Sequence, residues 1–203
     1  MRITGSGVWG PPLDAPGAIA VLRRAVELGV TFIDTAESYG PHVSEALIAE
    51  ALHPYPGDLV IATKGGFDRP GPGQWIPNGR PSRLREEIEG SLRRLKLDRI
   101  DLYQLHRIDP AVPEEEQFGT LQVLQREGIP WYPLLVGKIG QSDPLAHLAA
   151  TRAVTPSQLA LAWLLHRSPV VVPIPGTSQV AHLEENIRAA SITLSPTEFA
   201  SLG

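Results

Sequence analysis

Residues Thr31–Gly40 read TFIDTAESYG, and this stretch decides the fold that we predict. It starts as a short apolar strand that ends at Asp34, and Tyr39 follows five residues later. Two later apolar runs end in the same way, LVIATK at Lys64 and IDLYQLH at His106. Polar residues at the C-terminal ends of strands in an α/β barrel are typical of catalytic sites. These four side chains are therefore the candidate catalytic group.

Helical and strand patterns alternate through the first 127 residues. Apolar residues at helical spacing, with Gly or Pro at the boundaries, alternate with short apolar runs. The pattern predicts helices over 17–28, 44–52, 81–95 and 113–127, and strands over 31–36, 59–64 and 100–106. Alternation with short links favours parallel βα units. The long segment from Gly65 to Pro81 carries Trp75 and is typical of a binding loop.

The rhythm changes after Gly128. The sequence predicts a strand over 129–134, a helix capped by Thr155, a buried strand over 170–176, a helix from Ser178 and a short helix with a capping box at Ser195. That makes five strands, or six with part of the N-terminus, whereas a closed barrel of this type has eight strands in about 250 residues. The pattern therefore predicts one domain over residues 1–203 that is short of a closed barrel by about two βα units.

Composition excludes several classes of protein. The chain has 203 residues, 42% of them hydrophobic, and a net charge of −4, so it has no basic footprint for nucleic acid. No apolar run approaches the roughly 20 residues that span a membrane, and the N-terminus lacks an apolar signal core. There is no cysteine, and no cluster of His, Asp and Glu has metal-ligand spacing. We expect a cytoplasmic monomer without a bound metal.

The chain resembles the aldo-keto reductase family. The residues that carry the resemblance are DTAESYG, IATK and LYQLH in the first half, and PWYPL and VVPIPGTSQVAHLEEN in the second. The resemblance implies a (β/α)8 TIM barrel, a nicotinamide cofactor, usually NADPH, and reduction of an aldehyde or ketone by hydride transfer. It also implies that a first strand and about two βα units near the 128/129 junction are missing from this chain. The family binds its cofactor without a Rossmann domain, and no GxGxxG fingerprint follows any predicted strand here.

The resemblance also implies a role for each member of the candidate catalytic group. Tyr39 matches the general acid, and Lys64 would lower the pKa of Tyr39 from its ordinary value near 10. Asp34 would pair with Lys64, and His106 would donate a hydrogen bond to the substrate oxygen. Taken singly, each residue more often has a structural role, such as a loop cap or a core histidine. At three strand ends together, the catalytic interpretation is favoured.

Cofactor and substrate contacts follow from the same resemblance. It implies a phosphate site at Gly176, Thr177 and Ser178, with adenine contacts on the following helix at His182, Glu185 and Asn186. It also implies that the nicotinamide stacks on Trp131. Trp9 and Trp75 would line the substrate cleft. An ordinary strand–helix turn and core or barrel-end aromatic residues are the alternatives. Many relatives have Lys where Gly176 stands and Arg where His182 stands. We therefore expect only a modest preference for NADPH, with NADH as an alternative cofactor.

Two further questions stay open at the level of sequence. The 128/129 junction is either a true deletion or a place where residues are missing from the sequence, and with them the family's Ser-Asn pair and Gln that hold the carboxamide. Two other functions are alternatives to the reductase. One is a Schiff-base aldolase that uses Lys64, and the other is a truncated, non-catalytic barrel that acts as a binding protein.

Overall fold

The computed structural model of the chain describes residues 3–127, 143–168 and 171–202. The chain divides into two compact units, Met1–Leu134 and Leu135–Gly203. Each unit has its own helices and its own buried apolar cluster, so each is described by itself. No helix among the described residues is both long enough and apolar enough to cross a membrane.

The first unit is built from alternating helices and strands. Its elements are α1 (Ala15–Glu27), β1 (Phe32–Asp34), α2 (Val43–Leu52), β2 (Val60–Gly65), β3 (Phe67–Asp68), β4 (Ile76–Pro77), α3 (Pro81–Leu95), β5 (Leu102–Leu105) and α4 (Glu114–Arg126). The predicted order of helices and strands is confirmed, and α3 has the predicted bounds. The predicted binding loop contains a small antiparallel ribbon in which β3 pairs with β4.

Three strands form a parallel sheet in the order β1-β2-β5. The register pairs Asp34 with Ala62 and Lys64 with Gln104. Because the strands are parallel, their C-terminal ends lie at one edge of the sheet, as expected for consecutive βα units. This edge brings Asp34, Lys64 and the start of the segment after β5 together.

The core of this unit lies between the sheet and its helices. One apolar cluster joins α1, α2 and the strands through residues such as Leu22, Ile48 and Ile61. A second cluster joins α3, β5 and α4 through Ile88 and Leu121. Helix α3 begins at Pro81, the position where a proline costs no hydrogen bond. Packed helices on the sheet thus fix the strand ends that carry the candidate catalytic residues.

The second unit is helical in its described part. It contains α5 (Asp143–Thr151), α6 (Pro156–Arg167), α7 (Val180–Arg188) and α8 (Pro196–Ser201). Ser195 forms the predicted capping box with Glu198, and Thr155 is the predicted N-cap, which also forms a capping box with Gln158. Leu159 belongs to the apolar cluster that joins α5, α6 and α8.

Two predictions in the second unit are wrong, and a third lies outside the described residues. Residues 171–176 form no strand, and Val172 and Ile174 are 67% and 55% exposed. A buried parallel strand needs hydrogen-bonded neighbours, and the described part of the unit supplies none to this segment. Helix α7 starts after Gln179, not at Ser178. The strand predicted over 129–134 lies outside the described residues.

Candidate active site

A buried ion pair joins the ends of the first two strands. Lys64 Nζ lies 2.5 Å from Asp34 Oδ2 and donates a second hydrogen bond to the Thr35 carbonyl at 2.8 Å. Only 4% of Lys64 is exposed, and this burial lowers the pKa of its ammonium, while Asp34 acts in the opposite direction. The predicted pairing of Asp34 with Lys64 is therefore present, and it fixes the direction of the ammonium.

Tyr39 lies in the segment between β1 and α2, next to this pair. Its ring centroid is 5.5 Å from Lys64 Nζ. Burial, and then the negative charge of Asp34, raise the pKa of Tyr39 to about 12. This direction is opposite to the one expected from the sequence, because burial and the Asp34 carboxylate both disfavour the phenolate. Tyr39 therefore keeps its proton at ordinary pH.

His106, directly after β5, completes the group. Its ring meets the Tyr39 ring edge-on at a centroid distance of 5.6 Å, and its Nδ1 lies 3.3 Å from the Ser38 hydroxyl. The backbone N–H of His106 donates to the Gly65 carbonyl at 2.8 Å, which ties it to the end of β2. Burial, then nearby Lys64 and two arginines, lower the pKa of His106 to about 4. The imidazole is therefore neutral at physiological pH.

Aromatic side chains surround the imidazole. Phe67 and Trp75 on the β3–β4 ribbon meet the His106 ring at centroid distances of 5.0 and 6.1 Å. Trp9 forms an isolated bridge with Gly40, one residue after Tyr39. Trp75 thus contacts the candidate catalytic group through His106. Trp9 does not contact the group in this way, but its backbone pairs with the segment that carries Tyr39. Both positions fit an apolar substrate wall.

Arg83 binds three carboxylates in a network that the sequence did not predict. Arg83 lies 3.3 Å from carboxylate oxygens of both Glu37 and Glu87, and 2.8 Å from Asp68. Glu87 also accepts a hydrogen bond from the backbone N–H of Gly66 at 2.7 Å. Burial, and next the charge of Glu37, raise the pKa of Glu87 to about 8. The one feature of the sequence that indicates this network is the charged residue Glu87 on the apolar face of α3.

The residues predicted to hold the cofactor phosphate lie in the second unit. Gly176 and Ser178 are exposed, and the Thr177 hydroxyl accepts a hydrogen bond from the Gln179 N–H at 3.1 Å. Helix α7 begins without a side-chain cap, so the N–H groups of its first turn are available to an anion.

Three further cofactor predictions fall on this helix, and one falls outside the described residues. His182 is exposed, and Glu185 and Asn186 are half-buried. Trp131 lies outside the described residues, so its predicted stacking role stays a prediction. The described part of the chain also contains no group of three or more His, Asp or Glu that could hold a metal ion.

Two segments of the chain match a known protein family. The family model for the aldo/keto reductase family matches residues 3–130 and 137–203. The two matched segments include all four candidate catalytic residues and the predicted phosphate segment.

Two curated relatives match over the whole chain. One is named an uncharacterized oxidoreductase of Schizosaccharomyces pombe, 42% identical over 255 positions that cover 100% of this chain and 83% of the relative. The other is pyridoxine 4-dehydrogenase of Escherichia coli, 35% identical over 260 positions that cover 100% of this chain and 91% of the relative. Since this chain has 203 residues, at least 52 of the 255 positions in the first alignment have no residue in this chain.

Two solved structures give the fold. A thermostable aldo-keto reductase crystallised with the inhibitor epalrestat has a TM-score of 0.78 at 25% identity, covering 100% of this chain and 94% of that chain. An aldo-keto reductase from Klebsiella pneumoniae in complex with NADPH has a TM-score of 0.76 at 21% identity, covering 98% and 87%.

These comparisons confirm the predicted fold class, and they agree with the three parallel strands of the first unit. The predicted enzyme class, an oxidoreductase that uses NAD(P)H to reduce carbonyl compounds, is likewise confirmed by the family match. The chain belongs to the aldo/keto reductase family.

Proposed function

We propose that the chain reduces an aldehyde or ketone to an alcohol with Tyr39 as the general acid. The observation that carries the proposal is the cluster at three strand ends. The Asp34–Lys64 ion pair lies beside the Tyr39 ring, and the His106 ring meets the Tyr39 ring edge-on. Four side chains of complementary chemistry converge there from segments that are distant in sequence.

Proton donation by Tyr39 agrees with its electrostatic state. In the reduction, the carbonyl carbon gains a hydride and the oxygen gains a proton. With a pKa of about 12, Tyr39 keeps its proton at neutral pH. A developing alkoxide is a stronger base than a phenolate, so a neutral tyrosine can still protonate it. Lys64 then stabilises the phenolate that remains.

Lys64 has a donor to spare for this task. An ammonium has three N–H bonds, and within the described residues two of them go to Asp34 and to the Thr35 carbonyl. The third is available to the Tyr39 oxygen when the phenolate forms. Asp34 acts as the positioning residue that holds Lys64 in this orientation.

His106 polarises the substrate in the proposed reaction. Because its pKa is lowered to about 4, the ring is neutral and carries a single N–H. When the Ser38 hydroxyl donates to Nδ1, that hydrogen resides on Nε2 and can be donated to the substrate oxygen. Phe67 and Trp75, which contact the same ring, would exclude water from the carbonyl.

The cofactor belongs to the same proposal. A bound NADPH supplies the hydride. The uncapped start of α7 and the segment in which exposed Gly176 and Ser178 flank buried Thr177 fit a phosphate, because they offer backbone N–H groups. His182 on the first turn is the side chain there that can add positive charge, and Glu185 and Asn186 would lie near the adenine. Trp131 stays the candidate for stacking on the nicotinamide.

The alternatives have less support. A Schiff-base aldolase would use Lys64 but gives no role to Tyr39 and His106, although the Tyr39 ring lies beside Lys64 and meets the His106 ring. The binding-protein reading leaves the buried Asp34–Lys64 pair without a purpose that would offset its desolvation.

Replacement of Tyr39 by phenylalanine tests the proposed function. Tyr39→Phe should lower kcat by about 10² to 10⁴-fold, the range for loss of a general acid, while NADPH affinity stays within about twofold. Tyr55→Phe is the matched control, because the Tyr55 hydroxyl donates to the Leu95 carbonyl, outside the proposed site. The substrate panel should include pyridoxal, because the relative from Escherichia coli is named pyridoxine 4-dehydrogenase. A Tyr39→Phe enzyme with more than a few per cent of the wild-type rate would show that another acid is used.

A further inference from the structure

Arg69, on the segment between β3 and β4, is bound to three separate parts of the chain. Its Nε donates to the Gln74 carbonyl at 2.9 Å, its Nη1 to the Ser38 carbonyl at 2.7 Å, and its Nη2 to the Val8 carbonyl at 3.2 Å. Each nitrogen of the guanidinium therefore holds a different carbonyl. Two of the three bonds span 31 and 61 residues of sequence.

The three carbonyls share one property. Each belongs to the peptide group that precedes a residue of the proposed site, because Val8 precedes Trp9, Ser38 precedes Tyr39 and Gln74 precedes Trp75. Since a peptide group is planar and rigid, holding its carbonyl oxygen also fixes the backbone nitrogen of the next residue. Arg69 thus constrains the backbone from which the acid and both tryptophans project.

Stacking adds to the hydrogen bonds. The Arg69 guanidinium lies 3.5 Å from the centroid of the Trp75 ring and 5.5 Å from that of Trp9. Only 9% of Arg69 is exposed. Its three bonds all go to neutral carbonyls, and Glu37 is the acid whose charge favours the cation. A buried guanidinium without a carboxylate in its hydrogen-bond set costs desolvation, so its position calls for a role other than an ion pair.

We propose that Arg69 is a positioning residue for the reaction, one whose planar guanidinium sets the relative placement of Tyr39, Trp9 and Trp75. This inference rests on the proposed function, which supplies the roles of those three residues. A lysine cannot replace it, because an ammonium is a point charge on a flexible stem and lacks the flat fork that reaches three carbonyls while stacking on a ring.

The geometry makes a specific statement about kinetics. Loss of the guanidinium displaces the acid and the aromatic wall together, so kcat falls and KM for the carbonyl substrate rises. A displacement of about 1 Å in a catalytic group can cost about a hundredfold in rate. Arg69→Lys keeps the positive charge. A fall in kcat together with a rise in KM in that variant would therefore report the loss of the planar guanidinium and not the loss of charge.

The test compares Arg69→Met, Arg69→Lys and Arg23→Met in the full chain. Arg23 is the matched control, because its exposed guanidinium also donates to a backbone carbonyl, that of Ala51 at 3.1 Å, away from the site. Two readouts are needed: amide hydrogen exchange followed by mass spectrometry, and kcat and KM with an aldehyde. Peptides over 5–12, 36–42 and 71–78 report the three held segments, and peptides over 15–27 report global folding.

We expect faster exchange in all three segments for both Arg69 variants, with residues 15–27 unchanged and kcat/KM lowered about a hundredfold. Arg23→Met should leave both readouts within twofold of wild type. The Arg69→Lys variant keeps the charge, so it serves as the second variant if Arg69→Met does not fold.

Three results would overturn the role of Arg69. They are unchanged exchange in the segments, a change confined to 71–78, or an Arg69→Lys enzyme with wild-type kinetics. The Tyr39→Phe test stands apart from these. Undiminished activity there would refute the proposed function and leave the exchange result intact.

Discussion

The two units treat their predicted functional residues in opposite ways. In the first unit, Asp34, Lys64 and His106 stand at the ends of hydrogen-bonded parallel strands, where Asp34 and Lys64 form a buried ion pair and the His106 ring meets the Tyr39 ring. In the second unit, residues 171–176 of the strand predicted over 170–176 are unpaired among the described residues, and Gly176, Ser178 and His182 are exposed. The difference teaches that a strand-end site needs neighbouring strands before its side chains can be fixed.

This contrast yields a ranked set of expectations. Substitutions at the strand ends of the first unit should change stability and catalysis strongly, because their partners are buried. Substitutions at the exposed phosphate segment should change cofactor affinity weakly. Equal effects in the two units would break the comparison.

The largest effect is expected from Lys64→Met. It leaves the nearly buried Asp34 carboxylate without its ammonium, and breaking one partner of a buried pair costs about 3–5 kcal/mol. Urea unfolding measures the loss, and reductase activity should fall below detection. The double variant Asp34→Asn with Lys64→Met should recover part of the stability but none of the activity.

The control for that prediction is Arg85→Met. It breaks an ion pair with Glu127 in which both side chains are nearly half exposed, and solvent screening leaves such pairs with little effect on stability. A Lys64→Met protein no less stable than this control would contradict the burial argument.

The next effect concerns close packing at the end of β2. A Cβ on Gly65 would lie 1.9 Å from the Tyr103 hydroxyl and 2.5 Å from Glu87 Oε2. Gly65→Ala should therefore lower the free energy of unfolding by about 1–3 kcal/mol. Adding Tyr103→Phe should restore part of it, because the hydroxyl is removed while the Glu87 contact remains. Gly119→Ala, where a Cβ meets no atom within 4 Å, is the control.

A smaller, pH-dependent effect is expected at Glu87. In the folded protein its pKa is raised from 4.5 to about 8, so the folded state binds more protons than the unfolded state between those values. This contribution is fully present below pH 4.5 and is lost as the pH rises through about 8. Glu87→Gln has no carboxyl to titrate and can still accept from the Gly66 N–H.

Thermal unfolding from pH 6 to 9 checks this prediction. Wild-type Tm should fall more steeply with rising pH than Tm of Glu87→Gln. Identical slopes would show that Arg83 and the backbone bond keep Glu87 ionised in the fold.

The smallest effect is expected at His182 in the second unit. A polar contact at an exposed site contributes about 0.2–1 kcal/mol, which corresponds to about 1.4- to fivefold in Kd. NADPH should bind more tightly than NADH, and His182→Ala should narrow that difference in a fluorescence titration with both cofactors. An unchanged difference between the two cofactors would remove His182 from the proposed phosphate site.

Local sequence patterns predicted the elements whose formation depends on local chemistry. The apolar spacing and the proline of α3 predicted its bounds, and local spacing also predicted the Thr155 N-cap and the Ser195 capping box. The strand over 170–176 was predicted wrongly because an apolar run specifies a strand only when neighbours are present to pair with it.

Features that depend on long-range contacts could not be predicted from the sequence. Arg69 gains its role from carbonyls at Val8 and Ser38, which no local spacing relates to it. The direction of the pKa of Tyr39 was predicted wrongly for the same reason, since it depends on how deeply the fold buries the ring. The four catalytic candidates were predictable because strand ends in parallel βα units converge by topology.

Transfer of deuterium from the cofactor tests the central claim most directly. The chain, first verified by intact mass as 22.0 kDa, is incubated with an aldehyde and NADPH that carries deuterium at C4 of the nicotinamide. A mass above that value would show that the 128/129 junction marks missing residues, and the assay would then use the longer protein. We expect an alcohol with one deuterium on the former carbonyl carbon, formed by wild type and not by Tyr39→Phe. An alcohol without deuterium, or no alcohol together with a borohydride-trapped adduct on Lys64, would contradict the reductase account.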